Sequence, residues 1–125
     1  MRPALPAAML VLLGSAYAAA QDAPALAGNY GNASGCAFAR AGQTRDNEEM
    51  SLLTPDHFET YATHCSFVQQ LKGPGALVIT ALCGHEGEDL VTVQTLVIRR
   101  PTEGVDGLIL VTDGDGNEWA RVGPC

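Results

Sequence analysis

Along the second half of the chain, apolar and polar residues alternate with a period of two, and glycines interrupt the alternation at intervals. Val91, Val93, Thr95 and Val97 fall on one face of a segment whose other face carries Leu90, Thr92, Gln94, Leu96 and Ile98. That is a β-strand pattern, because successive strand side chains point to opposite faces. "LVITALC" (77–83), "LILVT" (108–112) and "NEWARV" (117–122) read as further strands, separated by turns at "LKGPGA", "PTEGVDG" and "DGDG".

The first half is less regular. "MSLLTPDHFETYATHCSFVQQ" (50–70) opens with a short strand and turns at Thr54-Pro55-Asp56. It continues as one long strand from Phe58, with Tyr61, Thr63, Cys65 and Phe67 on a common side. The rival reading is a short helix, with Thr54 as cap, Pro55 at the first position, and Asp56 and Glu59 in the first turn. "NYGNASGCAFARA" (29–41) reads as a first strand interrupted by glycines, with Tyr30, Cys36 and Phe38 as its apolar residues. "GQTRDNEE" is a polar loop, and residues 19–29 lead loosely into the fold. Six to eight antiparallel strands with no sustained helical period predict an all-β domain. The expected form is a small antiparallel meander closing into a barrel or a two-layer sandwich.

The N-terminus sets the expected compartment. "MRPALPAAMLVLLGSAYAAAQ" carries one basic residue, an apolar run around Met9–Leu13, and small residues in the A-x-A pattern at Ala16–Ala18 and Ala18–Ala20. This reads as a secretory signal peptide (1–20) cleaved after Ala18 or Ala20. Its apolar run is well short of the roughly 20 residues that span a bilayer, so no stable membrane insertion is expected after cleavage. Residues 21–125 then form one β-rich domain, large enough to bury about two thirds of its unfolded-chain surface. Losing Arg2 with the signal moves the formal net charge from −7 to −8. An acidic domain repels phosphate backbones, which argues against nucleic acid as a partner.

All four cysteines, Cys36, Cys65, Cys83 and Cys125, fall in the mature part. An even count in a short exported chain reads as two disulfides, with three possible connectivities. Register favours one of them. Centring a hairpin turn on Pro74 gives facing residues an index sum of 148, which sets Cys65 opposite Cys83, Phe67 opposite Ala81 and Gln69 opposite Ile79. His64 then faces Gly84 and points away from the cysteine side, while His85 faces Thr63. A tetrahedral Cys₂His₂ zinc site needs all four side chains on one point, so the hairpin reads as disulfide-bonded rather than metallated. Cys36 and Cys125 remain for each other, across the first and last strands of a closing meander.

Other candidate sites read as structure. In "DGDGNE" the spacing of Asp113, Asp115 and Asn117 resembles the start of an EF-hand loop. The sixth and twelfth positions, however, hold Glu118 and Pro124 rather than the glycine and glutamate such a loop requires. A tight β-turn fits better. "GHEGED" gathers His85, Glu86, Glu88 and Asp89 in a polar loop that offers little desolvation for acid/base chemistry. No G-x-S-x-G elbow and no phosphate loop occur. Asn32-Ala33-Ser34 matches a glycosylation sequon, relevant only to a eukaryotic chain. Trp119, the single tryptophan, is placed in the core near the closing seam, with ligand stacking as the alternative.

With these residues in place, the chain resembles a group of small, mostly uncharacterised periplasmic proteins of proteobacteria. The shared frame is a signal peptide, "GNYGNASGC", "LLTPDHFE", a cysteine hairpin ending "CGHEGED", a β-meander, and a last strand ending in cysteine. Tyr30 stands where tryptophan is usual, and the usual Arg-Cys ending is replaced by Arg121-Val122-Gly123-Pro124-Cys125. The resemblance implies no activity. A looser likeness to exported β-barrel inhibitors of lysozyme or proteases transfers no residue.

The expected function is therefore an exported, non-enzymatic binding or structural module, periplasmic or secreted, for an unknown protein or small ligand. No catalytic residue, cofactor or metal is assigned. The loop 84–89 and the turn 101–107 are its expected contact surfaces. One alternative is a small hydrolase or metal-dependent enzyme using His57 or His85 with Glu86 and Glu88. The other is an inhibitor of an envelope-directed enzyme.

Overall fold

The structure, a computed structural model, describes residues 23–42, 49–101 and 107–125. The expected signal peptide lies outside the described residues, as do positions 102–106 of the expected contact turn. The order of elements is β1 (Tyr30–Gly31), α1 (Ala33–Ala41), β2 (Ser51–Leu53), β3 (His57–Thr60), β4 (Thr63–Gly73), β5 (Ala76–His85), β6 (Val91–Arg99), β7 (Ile109–Asp113) and β8 (Glu118–Pro124). Each strand pairs antiparallel with the next, and β8 pairs with β1, closing an eight-stranded barrel. Of the two architectures the alternation allowed, the closed meander is the one formed.

Period-two patterning sets the two surfaces. Leu53, Phe58, Ile79, Leu96, Ile98 and Val111 point inward and are fully buried. Val91 and Val93, which share a face of β6 with Thr95, point out and are exposed. Both disulfides form: Cys65–Cys83 closes 18 residues of sequence and Cys36–Cys125 closes 89.

Four expectations need correction. Residues 33–41 form a helix, not part of a first strand. Asn32 caps it by accepting from Gly35 N at 2.8 Å, and Gly42 ends it at φ 71°. That is an Asn start and a left-handed glycine stop around an alanine-rich run. The same Asn32 side chain accepts from Ser51 N at 3.1 Å and donates to the carbonyl of Glu49, so the sequon amide is engaged in structure. Second, the long strand from Phe58 is broken at Tyr61–Ala62, and Tyr61 lies exposed in the turn rather than beside Thr63. The Thr54 cap signal belongs to a turn: its Oγ1 accepts from Asp56 N and His57 N before the chain enters β3.

Third, the hairpin register holds only as far as Phe67–Ala81. A bulge at Val68 then shifts it by one, so Gln69 faces Thr80 and Ile79 faces Gln70. The extra residue lets Gly73 pair with Ala76, leaving Pro74–Gly75 as a two-residue turn with Gly75 at φ 71°. Fourth, the lead-in is not loose. Pro24 is fully buried and Leu26 packs against the core.

Candidate binding site at the barrel mouth

The two ends of the barrel differ in chemistry. Where Gly73, Ala76 and Arg99 meet, the interior is filled by Leu77, Ile79, Leu96 and Ile98. Toward the opposite end the inward positions become polar. Cys83 faces Thr92 and Ala81 faces Gln94, and since Cys83 and Ala81 are buried inside, Thr92 and Gln94 also point in. The Gln94 side-chain amide donates to Thr92 Oγ1 at 3.3 Å. One step beyond the Cys65–Cys83 bond, Thr63 and His85 face each other with Thr63 Oγ1 2.8 Å from His85 Nδ1.

Thr60, Thr63, His85 and Trp119 line an open cavity of ≈ 300 Å³ at this mouth. Trp119 sits where the β7–β8 register shifts, half-buried, with its ring 6.2 Å from Phe58. It belongs to the wall of the mouth as well as to the core. An indole face beside two hydroxyls and an imidazole can stack on a ring and hydrogen-bond its edge, the composition typical of a small-ligand site in a barrel mouth.

A second, shallower depression of ≈ 330 Å³ lies on the other side of the β3–β4 turn, on the outer wall. Thr60 and Thr63 border both, while Glu59, Tyr61, His64, Gly84 and Glu86 line only the outer one. Gly84 forms part of the wall with no side chain, and the space its Cβ would take is empty within 4 Å.

The titratable residues singled out from sequence are not brought together. His85 faces the mouth and has a hydroxyl partner, whereas Glu86 borders the outer depression. Glu86 N donates to Ala62 O at 2.8 Å, which ties loop 86–90 to the β3–β4 turn. Glu88 is exposed, and its backbone closes the turn by donating to His85 O at 3.1 Å. His57 lies on the outer face of β3, and its carboxylate neighbours are Asp56, at 2.7 Å, and Glu59, at 3.8 Å, not Glu86 or Glu88. The His57 hydrogen bond, then that of Thr54, holds the Asp56 carboxyl below the usual carboxylate range.

His57, Glu59, His64 and Ser66 form a two-by-two grid on the outer wall, because His57 pairs with Ser66 and Glu59 with His64. Treating β3 and β4 as one strand hid this grid; a hairpin turn at Tyr61–Ala62 would have revealed it. Ser66 Oγ is 3.3 Å from His64 Nε2 and Glu59 Oε1 is 3.8 Å from Nδ1, the connectivity of a Ser–His–Glu relay. Strand β4 is paired on both edges, so its N–H groups serve the ladders instead of converging as an oxyanion hole.

In "DGDGNE", the Asp113 carboxylate accepts from Asp115 N, Asn117 N and Asn117 Nδ2 at 2.9, 2.8 and 2.8 Å. It organises the β7–β8 turn, as the turn reading expected. Among the described residues no helix is long and apolar enough to cross a membrane. Comparison with protein families, with characterised proteins and with solved structures finds no match to this chain.

Proposed function

We propose that the protein is an exported, non-enzymatic module that binds a small ligand at the mouth of its barrel. The carrying observation is the ≈ 300 Å³ cavity in which Trp119 meets Thr60, Thr63 and His85. The interior of an eight-stranded barrel is wide enough to be filled by side chains or to hold one small ligand. Among the described residues the cavity wall carries no Asp, Glu, Lys or Arg, which favours an uncharged ligand with a flat or ring-shaped face. Export rests on the signal-like N-terminus and on two disulfides that persist in an oxidising compartment, the periplasm or the exterior. The likeness to small periplasmic proteins points the same way.

Because Trp119 is the only tryptophan, its emission reports directly on the mouth. Purified protein titrated with sugars, nucleosides and aromatic metabolites should show saturable quenching or a spectral shift for at least one class. Thr63→Val and His85→Ala should weaken that response. The reading fails if no class alters Trp119 emission while the protein turns over a substrate and loses that turnover on changing His85 or Glu86 to alanine.

A further inference from the structure

We propose that the outer wall of β4, β5 and β6 is the interface of a two-fold dimer, covered by a second copy of this chain lying with its ends reversed. Val68, Leu71, Leu82, Val91 and Val93 all stand on this wall, and each is between 43% and 68% exposed. Single exposed apolar residues are ordinary, whereas a contiguous apolar face marks an interaction surface.

The bulge at Val68 helps to build that face. Phe67 faces the buried Ala81, and in an unbroken strand Leu71 would point the same way. The shifted register sets Leu71 opposite Val78 instead, on the outside. Across β5 and β6 the outer residues then form the rows Val78–Val97, Thr80–Thr95 and Leu82–Val93. Ala76–Arg99 closes one end of this ladder and Gly84–Val91 the other. About the threonine row the pattern reads alike in both directions, with an apolar row on each side. That is the self-complementarity an isologous contact needs. The closed barrel offers no free edge strand, so the face is what it has to associate with.

Two axes lying in the contact plane could stack this wall on itself. An axis along the strands sets each end on its like, and an axis across them, through the Thr80–Thr95 row, sets each end on its opposite. Charge decides between them. Glu86, Glu88 and Asp89 follow the Gly84 end, while Lys72 and Arg99 stand at the other, and all five are exposed. In a chain of formal net charge −7, acidic loop against acidic loop is repulsive. The crosswise axis instead lays Val78–Val97 on Leu82–Val93 of the second copy and brings Arg99 over Val91. Beside Val91, the outer depression of ≈ 330 Å³ is bordered by Glu59 and Glu86 and lies open above Gly84. It has room for a guanidinium, and its carboxylates are the acceptors that an arginine fork pairs with. A two-fold axis makes this contact twice.

The test is sedimentation equilibrium of the purified protein in low and high salt. A dimer should form and weaken as salt rises. Leu82→Asp and Val93→Asp should each weaken it at least about a hundredfold, by placing a charge at the centre of the contact. Both side chains point away from the core, and circular dichroism confirms that the variants fold. Arg99→Glu should weaken the dimer at least about tenfold, and adding Glu86→Arg should recover affinity. A short bis-maleimide should link two copies carrying Thr95→Cys but not two carrying Val91→Cys, whose positions the crosswise axis sets about 26 Å apart. A protein that stays monomeric at every concentration overturns the proposal, whether its wall stays bare or takes up phosphatidylcholine vesicles. So does a dimer that survives Leu82→Asp and Val93→Asp, one that Glu86→Arg fails to restore, or one that cross-links as readily at 91 as at 95.

Discussion

The β4–β5 hairpin and the closing seam each carry a disulfide, but the two regions are held together differently. In the hairpin, Cys65–Cys83 joins directly facing residues inside a ladder that runs from Thr63–His85 to Gly73–Ala76. Both sulfurs are fully buried, and the neighbouring pairs fix the register with or without the bond. At the seam, β1 supplies only Tyr30 and Gly31, each paired on one side with β2 and on the other with β8. Cys36, on α1, reaches Cys125 just past the end of β8, and Cys125 N adds one bond to Asn29 O. The hairpin disulfide reinforces pairing that the strands already make. The seam disulfide substitutes for pairing that a two-residue strand is too short to provide.

The largest expected effect tests this difference. In the chain-entropy model, closing 89 residues stabilises by about 4 to 5 kcal/mol and closing 18 by about 3 kcal/mol. The double variant Cys36→Ala/Cys125→Ala should therefore lose more stability in urea than Cys65→Ala/Cys83→Ala. It should also lose protection of the β1 and β8 amides before the rest of the barrel unfolds. Equal losses, or a seam that keeps its protection without the bond, would break the comparison.

Glycine sharpens it at intermediate size. A Cβ at Gly35 would lie 1.8 Å from Ser51 O and 2.6 Å from Ser51 C, because α1 packs directly on the β2 backbone. Backbone is no flexible neighbour, so Gly35→Ala must push the helix off the seam, at about 3 kcal/mol or more. Gly84, in the hairpin, has nothing within 4 Å of its would-be Cβ and no positive φ. Gly84→Ala should be neutral or stabilising by about 0.4 to 1 kcal/mol. Thermal unfolding of the two variants reads both, and a comparable loss at Gly84 would mean that the hairpin is as tightly constrained as the seam.

The same contrast explains what was legible in the sequence. The hairpin pairing of Cys65 with Cys83 depends on local spacing, and the alternation of β5 and β6 fixed which residues enter the core. The bulge at Val68 was not legible, since it answers to the two-residue geometry of Pro74–Gly75. Around the seam, Asn32 and Gly42 were ordinary helix-end signals, but glycines and a cysteine in an otherwise β-rich chain made a strand the competing reading. The polar mouth escaped notice for a further reason: Thr63 shares a face with Cys65, and Thr92 and Gln94 share one with Leu96 and Ile98, but only the closed barrel brings Thr60, Thr63, His85 and Trp119 from separate strands around one cavity. Likewise the grid of His57, Glu59, His64 and Ser66 exists only once β3 turns back on β4 at Tyr61–Ala62.

The smallest expected effect compares the acid sensitivity of the two regions. Asp56, at the turn entering β3, is held below its ordinary 3.8 by its hydrogen bonds to His57 and Thr54. Asp113, at the turn feeding β8 and the seam, is held below 3.8 chiefly by Asn117, with a smaller contribution from Trp119. A carboxyl depressed in the folded state adds stability that is complete above its unfolded value and vanishes as pH falls through the folded one. Stability should therefore decline below about pH 4, modestly, because both groups are exposed and screened by solvent. Asp113 accepts three hydrogen bonds from its own turn, whereas Asp56 accepts from His57 and Thr54 side chains. Asp113→Asn should accordingly flatten the acid limb of the urea midpoint against pH more than Asp56→Asn does. Raising the salt concentration should shrink both differences. If Asp56→Asn had the larger effect, the turn entering the hairpin sheet, rather than the one feeding the seam, would be the more acid-sensitive junction of the barrel.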